Sequence, residues 1–113
     1  MSDRLRRVNE SLRQVLSEAL PQLKDPRIGF VTVTAVEITS DLRAARVFVS
    51  VLGSERKRER ALAALESAHG VLQGRVAHEL RMRRTPQLTF EYDQTIERAA
   101  RMTKLIDELA PAD

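Results

Sequence analysis

RKRERALAALESAHGVLQGRVAHELRMRR, residues Arg56 to Arg84, is the stretch whose reading decides the fold. Ala61, Leu62, Leu65 and Ala68 stand three and four apart, so Arg56 to Ser67 reads as helix. Leu72, Val76 and Leu80 form a second stripe that carries helix on to Arg84. Gly70 separates the two stripes. Glycine inside a helix costs about 1 kcal/mol relative to alanine, so here it marks a bend between two consecutive helices. Thr85-Pro86 then closes the second helix, because the residue before a proline is pushed out of the helical region.

On the C-terminal side of this stretch, Leu88, Phe90 and Tyr92 alternate and predict a strand. On its N-terminal side, Ala45, Val47, Val49 and Val51 fall on one face of a strand, with Arg46, Phe48 and Ser50 on the other. Phe30 to Ile38 is dense in β-branched residues and reads as a further strand. The link Thr39-Ser40-Asp41-Leu42-Arg43 is short and polar, which suits an antiparallel hairpin. Ahead of these strands, Leu5, Val8, Leu12, Val15, Leu16, Ala19 and Leu20 make one helical stripe. Ser2 or Asp3 can cap it, and Pro21 stops it before Leu23. Lys24-Asp25-Pro26-Arg27 reads as a turn. After the last strand, Ile96, Ala99, Met102, Ile106 and Leu109 have helical spacing in an acidic segment that ends Pro111-Ala112-Asp113. The pattern predicts an α+β domain over residues 1–93 and a helical, weakly ordered tail over 94–113.

A chain of 113 residues fits one domain and buries too little to enclose a deep active site, so surface chemistry is expected. With no cysteine, disulfides and thiolate metal sites are excluded. Charges interrupt every apolar run, and Met1-Ser2-Asp3-Arg4 has none of the apolar core of a signal peptide; a cytoplasmic protein with no membrane partner is expected. The net charge of +3 is uneven. Residues 1–90 carry 16 basic against 10 acidic side chains, while residues 91–113 carry 3 against 6. Sixteen of the nineteen cations are arginine, whose planar fork matches phosphate oxygens.

Catalytic and metal patterns are missing from the sequence. His69 and His78, nine apart, have no cysteine beside them and no evident nucleophile, so neither a metal site nor an enzyme is expected. Gly70 and Gly74 lack the other glycines of a nucleotide fingerprint. The four aromatics Phe30, Phe48, Phe90 and Tyr92 are assigned to the core rather than to base stacking. What remains is charge. Arg56, Lys57, Arg58 and Arg60 crowd a helix start, where cations are disfavoured unless Glu55 and Glu59 neutralise them or a phosphate does. Arg81, Arg83 and Arg84 crowd a helix end, in excess of what capping needs. Arg4, Arg6, Arg7 and Arg13 open the first helix, and Arg43 and Arg46 flank the hairpin. Gathered on one side, these clusters make a phosphate-binding face; scattered, they serve solubility.

Several joints then resemble the ribosome-binding factor A family. They are Lys24-Asp25-Pro26-Arg27-Ile28-Gly29-Phe30 with Val31-Thr32-Val33-Thr34; Ser40 to Gly53, SDLRAARVFVSVLG; Ser67-Ala68-His69-Gly70; and Leu80 to Phe90, LRMRRTPQLTF. With Tyr92-Asp93 and Arg101-Met102 the likeness spans residues 4–107. It implies a type II KH-like domain, ordered α-β-β-α-kink-α-β, in which Ala68-His69-Gly70 forms an Ala-x-Gly kink in place of the G-x-x-G loop that clamps RNA in ordinary KH domains. Gln73 departs from the family where a basic residue is expected, as does Ala99 where glycine is common.

The resemblance also implies a function. The chain would be a monomeric, cofactor-free maturation factor that binds the free 30S subunit and assists late 16S rRNA processing by binding, with a GTPase or another assembly factor to displace it. RNA contact is assigned to Arg56, Lys57, Arg58, Arg60, Arg81, Arg83 and Arg84, with Arg43, Arg46, Arg4 and Arg7. The competing readings are a KH-like regulator binding single-stranded nucleic acid, a protein-interaction module and, most distantly, an enzyme.

Overall fold

Along the chain, helix α1 (Asp3–Ala19) leads into strands β1 (Val31–Ile38) and β2 (Ala44–Val51). Helices α2 (Glu55–Ser67) and α3 (His69–Leu80), strand β3 (Gln87–Tyr92) and helix α4 (Thr95–Leu109) follow. The structure, a computed structural model, describes residues 2–109 without the side chains of residues 96, 97 and 100; the closing Pro111-Ala112-Asp113 and the side chain of Ile96 lie outside that range. The α+β order of a KH-like domain is therefore present, and β2 is its middle strand. It pairs antiparallel with β1, from Val31 opposite Val51 to Ile38 opposite Ala45, and parallel with β3, from Ala44 beside Gln87 to Val49 beside Tyr92.

Period-two patterning explains how the sheet meets its helices. Ala45, Val47 and Val49 of β2 point one way and are buried with Val33, Val36, Ile38 and Leu88 under Leu12, Leu16, Leu65, Leu72 and Val76 of the helices. Burying each such side chain contributes roughly 1.5–3 kcal/mol. Arg46 and Phe48 project from the other face of the same strand, where the first turn of α4 lines a pocket with them through Thr95 and Arg98.

Helix boundaries follow local chemistry. The Ser2 hydroxyl accepts from the Leu5 amide (3.2 Å) and caps α1, while a 3-10 turn at Leu20–Gln22, holding Pro21, ends it where expected. Ser54 caps α2 by accepting from the Lys57 amide (3.3 Å). The helix junction falls within the Ala68-His69-Gly70 segment. Ala68 (φ −90°, ψ 4°), not Gly70, joins the two helices; Gly70 lies in the first turn of α3, and a Cβ there would meet nothing within 4 Å. Helix α3 also stops at Leu80 rather than Arg84, because Arg81 turns left-handed (φ 48°) while its amide still bonds the Ala77 carbonyl at 3.2 Å. Arg83 and Arg84 are consequently loop residues, and helix-dipole capping does not account for them.

Among the described residues the outer edge of β3 has no strand neighbour, and α3 reaches it at Pro86 and Leu88. Gln73 donates from Nε2 to the Pro86 carbonyl (2.6 Å) and accepts at Oε1 from the Leu88 amide (3.1 Å), as a neighbouring strand would. One turn earlier, His69 Nε2 sits 2.9 Å from the Leu88 carbonyl, and its ring meets Phe90 edge-on. An open strand edge invites pairing with other chains, and two side chains four residues apart on α3 occupy its first part, at Pro86 and Leu88. The departure at Gln73 from a basic residue is thereby explained: that position faces the sheet.

Candidate nucleic-acid interface

One end of the sheet gathers arginines from three separated segments. Arg4 from the start of α1, Arg43 from the β1–β2 hairpin, and Arg83 and Arg84 from the α3–β3 loop line a cleft of about 540 Å³, together with Leu42, Met82 and Asp41. All four arginines are exposed, and among the described residues none forms an ion pair. Asp41 is the cleft's one carboxylate and is already committed: it accepts from the Thr39 hydroxyl (2.6 Å) and the Arg43 amide (3.0 Å). Those two bonds, then the nearby Arg43 charge, hold its carboxyl below the usual aspartate range. Unpaired guanidinium groups converging on a concave surface suit a polyanion, because each presents a planar fork to phosphate oxygens.

Backbone strain concentrates at the same place. Among the described residues the non-glycine positions with positive φ are Leu42 (φ 63°) and Arg81 (φ 48°), one lining the cleft and the other two residues before Arg83. Left-handed backbone at a branched or long side chain costs of order 1–3 kcal/mol and is retained where surrounding structure demands it. Arg7, one turn beyond Arg4 on α1, is exposed and, among the described residues, outside any ion pair. By contrast Arg6 pairs with Asp3 (3.1 Å) and Arg13 with Glu10 (2.8 Å).

At the far end of the sheet, seven residues along β2 and thus about 23 Å away, lies the second basic group. Lys57 and Arg60, three apart on α2, line a groove with Arg27, Pro26, Phe30, Val51 and Leu52. Glu55 and Glu59 form no ion pair with Lys57 or Arg60 among the described residues, so of the two alternatives for this helix start the intrahelical ion pairs are not the one seen. Arg58 turns the other way, its guanidinium 3.8 Å from the centre of the Tyr92 ring, and Arg56 is exposed.

Arg46 belongs to neither group. On the sheet face away from α1, α2 and α3 it donates to Glu91 from Nε (2.6 Å) and Nη2 (3.1 Å), lies 3.6 Å from Glu37 and stacks 4.9 Å over Phe48. Two carboxylates already balance it. The predicted cations thus divide into an open arginine cleft, a second group around the α2 start, and an arginine engaged within the fold.

The assignment of all four aromatics to the core is corrected in part. Phe90 packs against the core and Phe48 is half-buried beneath Arg46, but Phe30 is 66% exposed and Leu52 beside it 72% exposed. Phe30 falls one residue before β1, where the strand no longer directs alternate side chains inward. Among the described residues no group of three histidine or acidic side chains is placed to hold a metal ion, and no helix is long and apolar enough to cross a membrane.

With this geometry in view, likeness to known proteins is informative. The sequence profile of ribosome-binding factor A matches residues 4–106. Ribosome-binding factor A of Macrococcus caseolyticus is 44% identical over 110 residues, 96% of each chain. The crystal structure of ribosome-binding factor A from Thermus thermophilus superposes with a TM-score of 0.71 at 34% identity, over 78% of this chain and 94% of that one. Coordinates of the Thermus thermophilus factor, as a homology model fitted into the cryo-EM map of a 30S complex, match with a TM-score of 0.65 at 35% identity, over 75% of this chain and 90% of that one. The protein is a member of the ribosome-binding factor A family.

Proposed function

We propose that this protein binds the free 30S ribosomal subunit in the cytoplasm and assists late maturation of its 16S rRNA, acting as a monomer by binding rather than catalysis. The observation that carries the proposal is the arginine cleft: four unpaired guanidinium groups from three segments share one concavity, as a phosphate backbone requires. The likeness to coordinates fitted into a 30S complex supports the choice of subunit. In this reading Arg4, Arg43, Arg83 and Arg84 grip the RNA backbone, with Arg7 and Arg81 beside them. Arg56, Lys57 and Arg60 make a separate contact, and Arg46 and Arg58 brace the sheet. Residues 1–93 form the RNA-binding unit, the tail from residue 94 is accessory, and another assembly factor such as a GTPase displaces the protein.

Co-sedimentation of the purified protein with separated small subunits, large subunits and whole ribosomes at a series of salt concentrations tests this. Selective binding to small subunits is expected. With four or five phosphates engaged, log affinity falls against log salt with a slope of about −3 to −4.5. Equal binding to every particle, or a slope near zero, would refute the proposal; short single-stranded oligonucleotides competing as well as subunits do would favour a general nucleic-acid regulator.

A further inference from the structure

The groove at the start of α2 pairs cations with an apolar surface that the fold itself does not use. Phe30 and Leu52 sit opposite each other just beyond the β1–β2 ladder, joined by a hydrogen bond from the Leu52 amide to the Phe30 carbonyl (3.2 Å). Directly opposed residues share a sheet face, so their exposed side chains form one apolar step. Around it stand Arg27, Lys57 and Arg60, in a groove of about 200 Å³. Arg27 is held by Asp25 at 2.7 Å, whereas Lys57 and Arg60 form no ion pair among the described residues.

Local backbone chemistry sets the Lys57 stem. Gly53 takes φ +127°, and a Cβ there would lie 2.6 Å from Lys57 Cδ, so the lysine stem lies across the glycine.

We propose that this groove binds one unpaired nucleotide of RNA, its base stacked on Phe30 against Leu52 and its phosphates met by Lys57 and Arg60. An exposed ring supplies a face that any base can stack on, and two cations three residues apart, outside any ion pair among the described residues although Asp25 lies within reach of the Arg60 charge, supply the phosphate partner. A duplex offers no free base face, so the groove discriminates single-stranded from paired RNA, which the arginine cleft does not. This inference rests on the RNA-binding reading above and adds to it a second site of different chemistry.

The test uses the full chain, a labelled 12-nucleotide single-stranded RNA and a duplex of the same length, with affinities from anisotropy. Phe30→Ala is expected to weaken the single strand by about 5- to 150-fold. It should leave duplex affinity and salt slope unchanged. Lys57→Ala should lower the single-strand slope by about 0.7. Because the chain has no tryptophan, Phe30→Trp introduces a lone fluorophore, and its emission should be quenched by the single strand and not by the duplex. Single-strand affinity unchanged in Phe30→Ala, or weakened equally for both RNAs, would overturn the inference. So would loss of small-subunit binding with oligonucleotide affinity intact, which would place a protein surface on Phe30. If the unaltered protein binds neither RNA, or binds the single strand and Phe30→Ala binds it alike, the stacking site fails while the subunit reading stands; that reading fails only if co-sedimentation shows no preference for small subunits.

Discussion

Removing Arg83 and Arg84 together separates a local binding cleft from a diffuse positive field. Both side chains line the cleft, are exposed and lack ion pairs, so neither is needed to hold the fold. Each phosphate contact contributes about 0.7 to 0.9 to the slope of log affinity against log salt, depending on whether the RNA is single- or double-stranded. Two lost contacts therefore flatten the slope by about 1.4 to 1.8. Measured from 1 M salt, where this contribution vanishes, the loss amounts to about 25- to 60-fold in affinity at 0.1 M and about 5- to 9-fold at 0.3 M. The control is Arg6→Ala with Arg13→Ala. It changes net charge equally, but those arginines are already paired with Asp3 and Glu10 and stand outside the cleft. Its slope should move far less. Small-subunit affinity measured by sedimentation across a salt series decides the matter, with circular dichroism to establish that both variants fold. Equal losses in the two double variants would show that only overall charge counts, and the cleft would lose its standing as the binding site.

Three further outcomes test the fold around the site. Gln73→Leu uncovers the Pro86 carbonyl and Leu88 amide on the β3 edge and should cost about 1 to 3 kcal/mol, read as a lower urea midpoint; an unchanged midpoint would mean that water replaces the side chain without loss. The Asp93 carboxyl accepts from the Thr34 hydroxyl across the central strand (2.6 Å) and from the Thr95 amide (2.9 Å), which hold it below the ordinary value of about 3.9. A depressed carboxylate stabilises the fold above its unfolded pKa and loses that contribution as pH falls through the folded one, so Thr34→Val should be less stable than the parent at neutral pH. The gap should close on acidification below about pH 4, whereas a pH-independent gap would assign the loss to packing. Gly53→Ala forces a Cβ into a backbone at φ +127° and against Lys57 Cδ, and should destabilise by more than about 1 kcal/mol in thermal melts; a neutral result would show that the α2 entry rearranges freely.

Thr34 shows why some of this architecture was not legible from residue patterns. It occupies a break in the β1–β2 register, where Val33 faces Val49 and Ala35 faces Phe48. The extra residue turns the threonine hydroxyl toward Phe48's carbonyl and Asp93. A run of β-branched residues reads as one even strand, so nothing in Val31–Ile38 marks the irregularity. Gln73 is similar: on the helix stripe it is merely polar, and its purpose exists only once β3 lies beside it. The resemblance to a known family left it as a departure from a basic residue, and the geometry supplied the reason.

Periodicity decided most of the elements, because it records local geometry. Spacings of three and four in α1, α2 and α3, strict alternation in β2 and the prolines at 21 and 86 placed helices and strands within a few residues of where they lie. Charge composition pointed to phosphate, and the joint motifs pointed to the family. Which arginines act together belonged to the tertiary structure. Arg4, Arg43 and Arg83 are about 40 residues apart from one to the next, and only the antiparallel hairpin, the parallel return of β3 and two left-handed residues bring them to one cleft. Arg46, beside Arg43 in sequence terms, points onto the opposite sheet surface and meets Glu91 and Glu37 there. A strand reverses its side chains at each residue and a chain folds back over long separations, so adjacency in sequence says little about a shared surface until the packing is known.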